Sequence, residues 1–314
     1  MTSLRQIRGR LRSTQNTKQI MRAMQLVSAS KLKRSQGRLM QARSTLDFLD
    51  GLLQRVLASS ALQGQPTRTR HSATPPIGGL APAAAPHPLC AARTGAPSTM
   101  VLFTSDTGLC GSYNANLMQL AESHLRRDAA KHTEVVYIGK RGYRYFTKRG
   151  FAAAESYLDL AGRPDLKKAD AIGRALMARF LSGRTGTIQL LYSQFVSAMT
   201  YQPTLLQWLP ISLNTNEPGS PVTGHRSPVT EYIFEPSPRR VFEDLLPRWA
   251  LAKFQLVMLE AFTSEHSARM IAMKNATDNA EELLKSLTTQ RNKIRQASIT
   301  KELSEIVGTA EALK

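Results

Sequence analysis

No acidic residue occurs before Asp47, no proline before Pro66, and no glycine between Val241 and Val307. Each absence excludes something. Without acids, the cations upstream of Asp47 have no intrahelical partners, so a self-neutralised, solvated helix face is excluded there. With only Pro247 inside the last stretch, and only Gly9, Gly37 and Gly51 inside the first, little interrupts a helix at either end. The two cysteines, Cys90 and Cys110, do not make a disulfide framework, which points to a reducing cytoplasm. The six histidines show no metal-ligand spacing. No apolar run reaches the length of a membrane span, and the Arg-rich start lacks the apolar stretch of a secretory signal. The patterned residues begin at Leu4, so no removable leader is expected.

What is present in excess is positive charge. The net charge is +19 over 314 residues, while the 42% hydrophobic and 21% charged fractions are ordinary for a globular protein. Nucleic acid, an anionic membrane surface or an acidic protein partner each fits such a balance. The length suggests two domains.

Two heptad seams frame the chain. The first runs Leu4, Ile7, Leu11, Thr14, Lys18, Met21, Gln25, Ser28, Leu32, Ser35, Leu39, Ala42, Leu46, Leu49, Leu53 and Val56 in unbroken steps of three and four. Ile20, Met24 and Val27 form a second apolar stripe, so this helix needs a helix on one side and something else outside. The second seam runs Met273, Ala276, Ala280, Leu283, Leu287, Gln290, Ile294 and Ala297, then shifts phase to Ile299, Leu303, Ile306, Ala310 and Leu313. At about 1.5 Å per residue the C-terminal helix alone would reach roughly 100 Å. A domain the size of the middle region has a radius of gyration near about 13 Å and could not cover it. The seams are therefore expected to pair with each other.

Between them, residues 64–97 are rich in Pro, Ala and Gly and read as an extended linker with few contacts to lose. Beyond them the pattern becomes strand–helix alternation. Strands are expected at 100–103, 134–138, 154–158 and 187–196, with a final antiparallel one at 204–211 after a turn at 201–203. Helices are expected at 114–132, 143–148 and 165–181. A polar loop at 214–228 and a short lead-in at 232–234 precede the last helix. The fold class is α/β: a long antiparallel coiled coil of the N- and C-terminal helices with an inserted Rossmann-like open α/β domain. The expected organisation is helix 1–60, flexible linker 61–98, α/β domain 99–213, connection 214–237 and helix 238–314.

Candidate chemistry is thin. Thr107-Gly108-Leu109-Cys110-Gly111-Ser112 sits where phosphate loops occur, but it lacks the Gly-Lys-Ser/Thr ending of one and the three-glycine dinucleotide spacing. A tight structural turn is the preferred reading. Cys110 has no neighbouring base in sequence, and His124 and His132 lie on a polar helix. Met21, Met24, Met270 and Met273 read as packing residues. The cations Lys31, Lys33, Arg34 and Arg38, with Arg5, Arg8, Arg10 and Arg12 upstream, call for an acidic partner. Two other readings remain: a basic coiled-coil protein that binds nucleic acid, and a nucleotide-binding enzyme using the α/β domain.

Both ends carry a family signature. Ile7-Arg8, then Ser13-Thr14-Gln15-Asn16-Thr17-Lys18-Gln19-Ile20, Ala23-Met24 and Ala29-Ser30-Lys31 resemble the gamma subunit of F-type ATP synthase. So do Ser264-Glu265, Ala268-Arg269-Met270-Ile271-Ala272-Met273-Lys274-Asn275-Ala276-Thr277-Asp278-Asn279 and Asn292-Lys293-Ile294-Arg295-Gln296-Ala297-Ser298-Ile299-Thr300-Lys301-Glu302. Ser105-Asp106, Gly108-Leu109-Cys110-Gly111 and Phe234-Glu235-Pro236 add support from the middle. Thr107 stands where arginine is common in the family, and no redox-regulatory cysteine pair like that of chloroplast relatives is present. The resemblance implies a non-catalytic rotor shaft with no catalytic residue, cofactor or metal of its own. Its partners would be the alpha and beta subunits, the epsilon subunit and the membrane c-ring, with no nucleic acid and no small-molecule substrate. By likeness, Arg295, Gln296, Thr300 and Met24, with Lys31, Lys33 and Arg34, meet beta, and Glu235 lies toward the c-ring and epsilon. A bacterial chain, peripheral on the cytoplasmic side of the inner membrane, is implied.

Overall fold

The computed structural model describes residues 4–58, 87–91, 93, 95–126, 133–160, 162, 165–212 and 234–312. The expected polar loop at 214–228, most of the Pro/Ala-rich segment, His132, Tyr232 and Leu313 lie outside these. The chain folds as two compact units: Met1–Lys33 with Leu109–Ser112 and His266–Lys314, and Arg34–Gly108 with Tyr113–Glu265. Two long helices, α1 (Leu4–Ala58) and α5 (Pro238–Ala312), contribute to both.

The larger unit holds five strands, β1 (Ser98–Phe103), β2 (Thr133–Ile138), β3 (Ala153–Tyr157), β4 (Thr187–Phe195) and β5 (Tyr201–Leu209), in the order β3-β2-β1-β4-β5. The first four are parallel and β5 runs antiparallel to β4. Residues 100–103 and 135–138 are buried without exception, as both-face coverage of a parallel sheet demands. Val101, Phe103, Val136, Ile138, Leu190 and Tyr192 point into one core with α4 (Leu166–Leu181), α5 and the end of α1. On the other face Tyr137 packs against Tyr143 and Phe146 of α3 (Lys140–Thr147), with α2 (Tyr113–Leu125) beside it.

The expected succession of strands and helices along the chain holds, with shifted edges. The turn placed at 201–203 is instead strand: Ser193 pairs with Pro203 and Phe195 with Tyr201, and the reversal falls at 197–200, closed by Ser197 N–H on the Thr200 carbonyl (2.9 Å). Pro203 is tolerated because β5 is an edge strand that needs no donor on its open side. Helix α3 starts at Lys140 rather than Tyr143. Gly139 makes that abrupt entry at φ 102°, where an added Cβ would lie 2.0 Å from the Thr104 carbonyl oxygen. Asp165 caps α4 by accepting from the Lys167 N–H (3.0 Å).

One composition-based reading is corrected. The described end of the expected linker makes more contacts than its composition predicts: Leu89 is fully buried, its carbonyl accepts from Ile211 N–H (2.8 Å), and the Pro97 carbonyl accepts from Gly186 N–H (2.9 Å). His87 meets Phe242 edge-on at 6.0 Å, and Arg93 lies over the Phe180 ring. Proline and alanine reduce what a segment can bury, but one leucine in a core slot is enough to seat it.

In the larger unit α1 and α5 run antiparallel. Arg43 bonds Glu260 and Asp50 bonds Trp249, so the α5 partner number falls as the α1 number rises. In the smaller unit Lys18 Nζ meets Glu281 Oε2 at 3.1 Å. Every seam residue from Leu4 to Val56 is buried or half-buried, and none is exposed. The α5 seam is corrected in phase. Met273, Ala280 and Leu287 are buried and Ile294 half-buried, but Leu283 is 49% exposed and Gln290 and Ala297 are exposed. Thr277, Leu284 and Arg291 take the intervening places. Hydrophobicity had selected Ala276 over Thr277. Burial of Thr277 costs little, because its hydroxyl donates to the Met273 carbonyl at 2.7 Å.

The contact of Asp50 with Trp249 has a pH signature. Burial holds the Asp50 carboxyl above its ordinary range, against the Trp249 hydrogen bond and the Lys253 charge, which lower it. A raised folded-state pKa favours the protonated form on folding, so its contribution is present below the unfolded pKa and lost as pH rises through the folded one. Asp50→Asn is therefore expected to raise the thermal midpoint near pH 7 and to leave it unchanged near pH 3. A variant less stable than the native chain near pH 7 contradicts the sign.

Candidate partner-facing surfaces

The turn after β1 is occupied by the chain's own groups. Ser105 N–H donates to Asn114 Oδ1 (3.0 Å), Asn114 Nδ2 donates to Ser105 Oγ (2.7 Å), and Ser105 Oγ donates to the Thr107 carbonyl (2.6 Å). Asp106 Oδ1 accepts from the Lys140 N–H that opens α3 (3.0 Å). An added Cβ at Gly108 would lie 2.5 Å from Arg141 Nη2. The Ser105 amide is directed to a side chain, and the turn is held by bonds among the chain's own groups. Above the ends of the strands, Ser264 Oγ donates to the Ser193 carbonyl (2.9 Å) and Tyr113 Oη to the Ala261 carbonyl (3.0 Å), which lays α5 across the crevice where open α/β sheets bind ligands.

Cys110 is buried. Cys90 is half-buried, and burial pushes its thiol up to about 11, so it stays protonated and weakly nucleophilic at neutral pH. His124 is half-buried on α2. Among the described residues no group of three His, Cys, Asp or Glu side chains could hold a metal ion, and no helix is long and apolar enough to cross a membrane.

The informative surfaces lie on the helices. Arg5, Arg8, Arg10, Arg12, Lys31, Lys33, Arg34 and Arg38 of α1 are all exposed. Ile20 and Val27 are 60% and 55% exposed and Met24 half-buried, so the second stripe lies uncovered beside the seam. Met273 is core, and Met21 and Met270 are half-buried. Arg295, Gln296 and Thr300 are exposed on α5, where the Thr300 hydroxyl back-bonds to the Gln296 carbonyl (3.0 Å). Glu235 is exposed just ahead of Ser237, whose hydroxyl accepts from Arg240 N–H (3.3 Å) at the start of α5. Met24, Lys31, Lys33 and Arg34 lie on α1, Arg295, Gln296 and Thr300 on α5, and Glu235 in the lead-in to α5.

The end of α5 carries a further surface. In the antiparallel smaller unit, Leu4 stands fourteen residues before Lys18 and so faces the residue fourteen beyond Glu281, number 295. By this pairing no described residue of α1 lies opposite the rest of α5. Its shifted seam is bare as far as Ile306: Ile299, Leu303 and Ile306 are 50% to 63% exposed.

Sequence reading missed one polar node, Arg43 with Glu260. A signal existed. Glu260 is the single charge in the run Leu256-Val257-Met258-Leu259-Glu260-Ala261-Phe262, and a lone acid amid such residues announces a buried partner.

A family model described as ATP synthase matches residues 3–313. The chain is 36% identical to the ATP synthase gamma chain of Anaeromyxobacter sp. (strain K) over 316 residues, covering all of both chains. It is 36% identical to that of Desulforamulus reducens over 314 residues, again with full coverage. Among solved structures it is similar to a chain of the Euglena gracilis mitochondrial ATP synthase rotor, with a TM-score of 0.62 and 14% identity over 94% of this chain and 98% of that one. With the family model matched over residues 3–313 and relatives 36% identical over their full length, the chain belongs to the ATP synthase gamma-chain family.

Proposed function

We propose that this chain is the central rotor shaft of an F-type ATP synthase, non-catalytic itself, which couples ion flow through a membrane c-ring to ATP synthesis or hydrolysis in the beta subunits. The single observation that carries it is the set of apolar residues left bare on an otherwise well-packed pair of helices, above all Ile299, Leu303 and Ile306 beyond the end of α1. Exposed apolar stripes on a helix imply a surrounding partner. A ring of alpha and beta subunits is such a partner, and the exposed cations of α1 suit an acidic segment on it.

In this reading Arg295, Gln296 and Thr300 meet the beta loops around the upper shaft, and Lys31, Lys33 and Arg34, with Met24 beside them, meet beta lower down. Glu235 faces the c-ring and epsilon. The complex places the chain peripherally on the cytoplasmic face of the inner membrane. The bound side chains of the Ser105 turn support a chain without nucleotide chemistry of its own.

Co-purification separates this from a nucleic-acid-binding coiled coil. The tagged chain, expressed in its own cells, is expected to bring down alpha, beta and epsilon subunits. Strongly salt-dependent DNA affinity without those subunits contradicts the proposal.

Arg295→Ala is expected to leave the thermal midpoint unchanged, because the side chain is exposed. Each lost charge-assisted bond to a beta loop is roughly 1.5–3 kcal/mol in those rotary positions where it forms. ATP synthesis by the assembled complex should therefore fall about ten-fold. Unchanged synthesis and hydrolysis rates in the assembled variant remove Arg295 from the contact set.

A further inference from the structure

Arg43 of α1 reaches two elements at once. Its Nη2 lies 2.6 Å from Glu260 Oε1 on α5 and 2.9 Å from the backbone carbonyl oxygen of Phe195, the last residue of β4. The Glu260 side chain is 6% exposed and that of Arg43 36%. Tyr192, also on β4, hydrogen-bonds Glu260, and its hydroxyl is pushed upward first by burial and then by the Glu260 charge. Helix α5 has other ties to the sheet domain. Trp208 Nε1 donates to the Ala250 carbonyl (2.9 Å) and Ser264 Oγ to that of Ser193 (2.9 Å). Arg43 of α1 thus bonds both the other long helix and the sheet.

Stability alone is a poor account of this node. Two charges lose most of their hydration there, and a well-packed apolar pair of the same volume is commonly as stable or more so. What the charged pair adds is direction. Apolar side chains repack when one helix slides or turns against another, whereas a guanidinium held by a carboxylate and a carbonyl has narrow distance and angle limits. A shaft that transmits rotation needs that property where its helices join the sheet.

We propose that Arg43 and Glu260 are positioning residues for energy coupling, locking α1 and α5 to β4 so that the helices and the sheet domain turn in step. The proposal rests on the rotor reading above. Twist entering through the sheet reaches both helices only if neither slips, and the Arg43 bonds oppose slip of α1 against both α5 and β4.

The test uses the assembled complex in inverted membrane vesicles, with ATP hydrolysis and ATP-driven ion uptake measured on the same preparation. Arg43→Met combined with Glu260→Met keeps the volume and removes the direction. The double variant is expected to assemble, to match or exceed the native thermal midpoint, and to hydrolyse ATP at close to the native rate. Ion uptake per ATP hydrolysed should fall about three-fold or more. Arg43→Lys, which keeps the charge but loses the planar fork, should restore part of that ratio. A merely structural tie would lower assembly or the thermal midpoint and leave the uptake ratio of the assembled complex untouched. A native ratio in the double variant overturns the proposal. If the double variant does not assemble, Glu260→Gln decides: a lowered ratio supports the lock and a native ratio overturns it. Absence of coupled uptake in the native complex would instead refute the rotor reading itself.

Discussion

Two helices as long as α1 and α5 cannot hold themselves in water. Their stability comes from covering apolar stripes, and that single constraint organises the rest of the molecule. Each helix hides one stripe against the other. In the larger unit α5 hides the rest of its surface in the sheet core, and residues 256–265 are buried without exception. The sheet, parallel in its first four strands, needs cover on both faces, and it receives α4 and α5 on one and α3 on the other. The domain and the coiled coil are thus mutually dependent. Arg43 and Glu260 join the two helices and β4 there by directed bonds as well as packing.

What the chain cannot cover by itself is as informative as what it can. Ile20 and Val27, on the part of α1 that carries cations and no acid, and Ile299, Leu303 and Ile306 on α5 remain in solvent. A static scaffold would gain from burying those residues in one permanent contact. A shaft that passes several identical partners gains from having them weakly committed to each. Buried serines at 28 and 35 are consistent with this, since they thin the seam alongside Lys31 and Arg34 instead of strengthening it.

Much of this was legible beforehand because period is a strong signal. The unbroken three-four alternation from Leu4 to Val56 placed every seam residue on a covered face. Alternation of apolar runs with helical stretches gave the sheet class and its single antiparallel edge. The failures share a cause: they required knowledge of a neighbour. Ala276 and Thr277 are adjacent, and only the partner helix decides which turns inward. Leu89 looked like part of a poor-in-contacts segment until its core slot was visible. Glu260 was readable as an oddity, but its partner Arg43 lies 217 residues away in sequence. The partner-facing residues are the least legible, because exposure in this chain is all that their position expresses here, and their contacts belong to other chains.

Rotation is the central claim, and one reversible bond tests it most directly. With Cys90 and Cys110 replaced by serine, a cysteine introduced beside Lys31 is oxidised to a cysteine on the facing segment of beta in the assembled complex. The account predicts that closing this bond stops multi-site ATP turnover and that reducing it restores the original rate. Full turnover with the bond demonstrably closed would contradict the account.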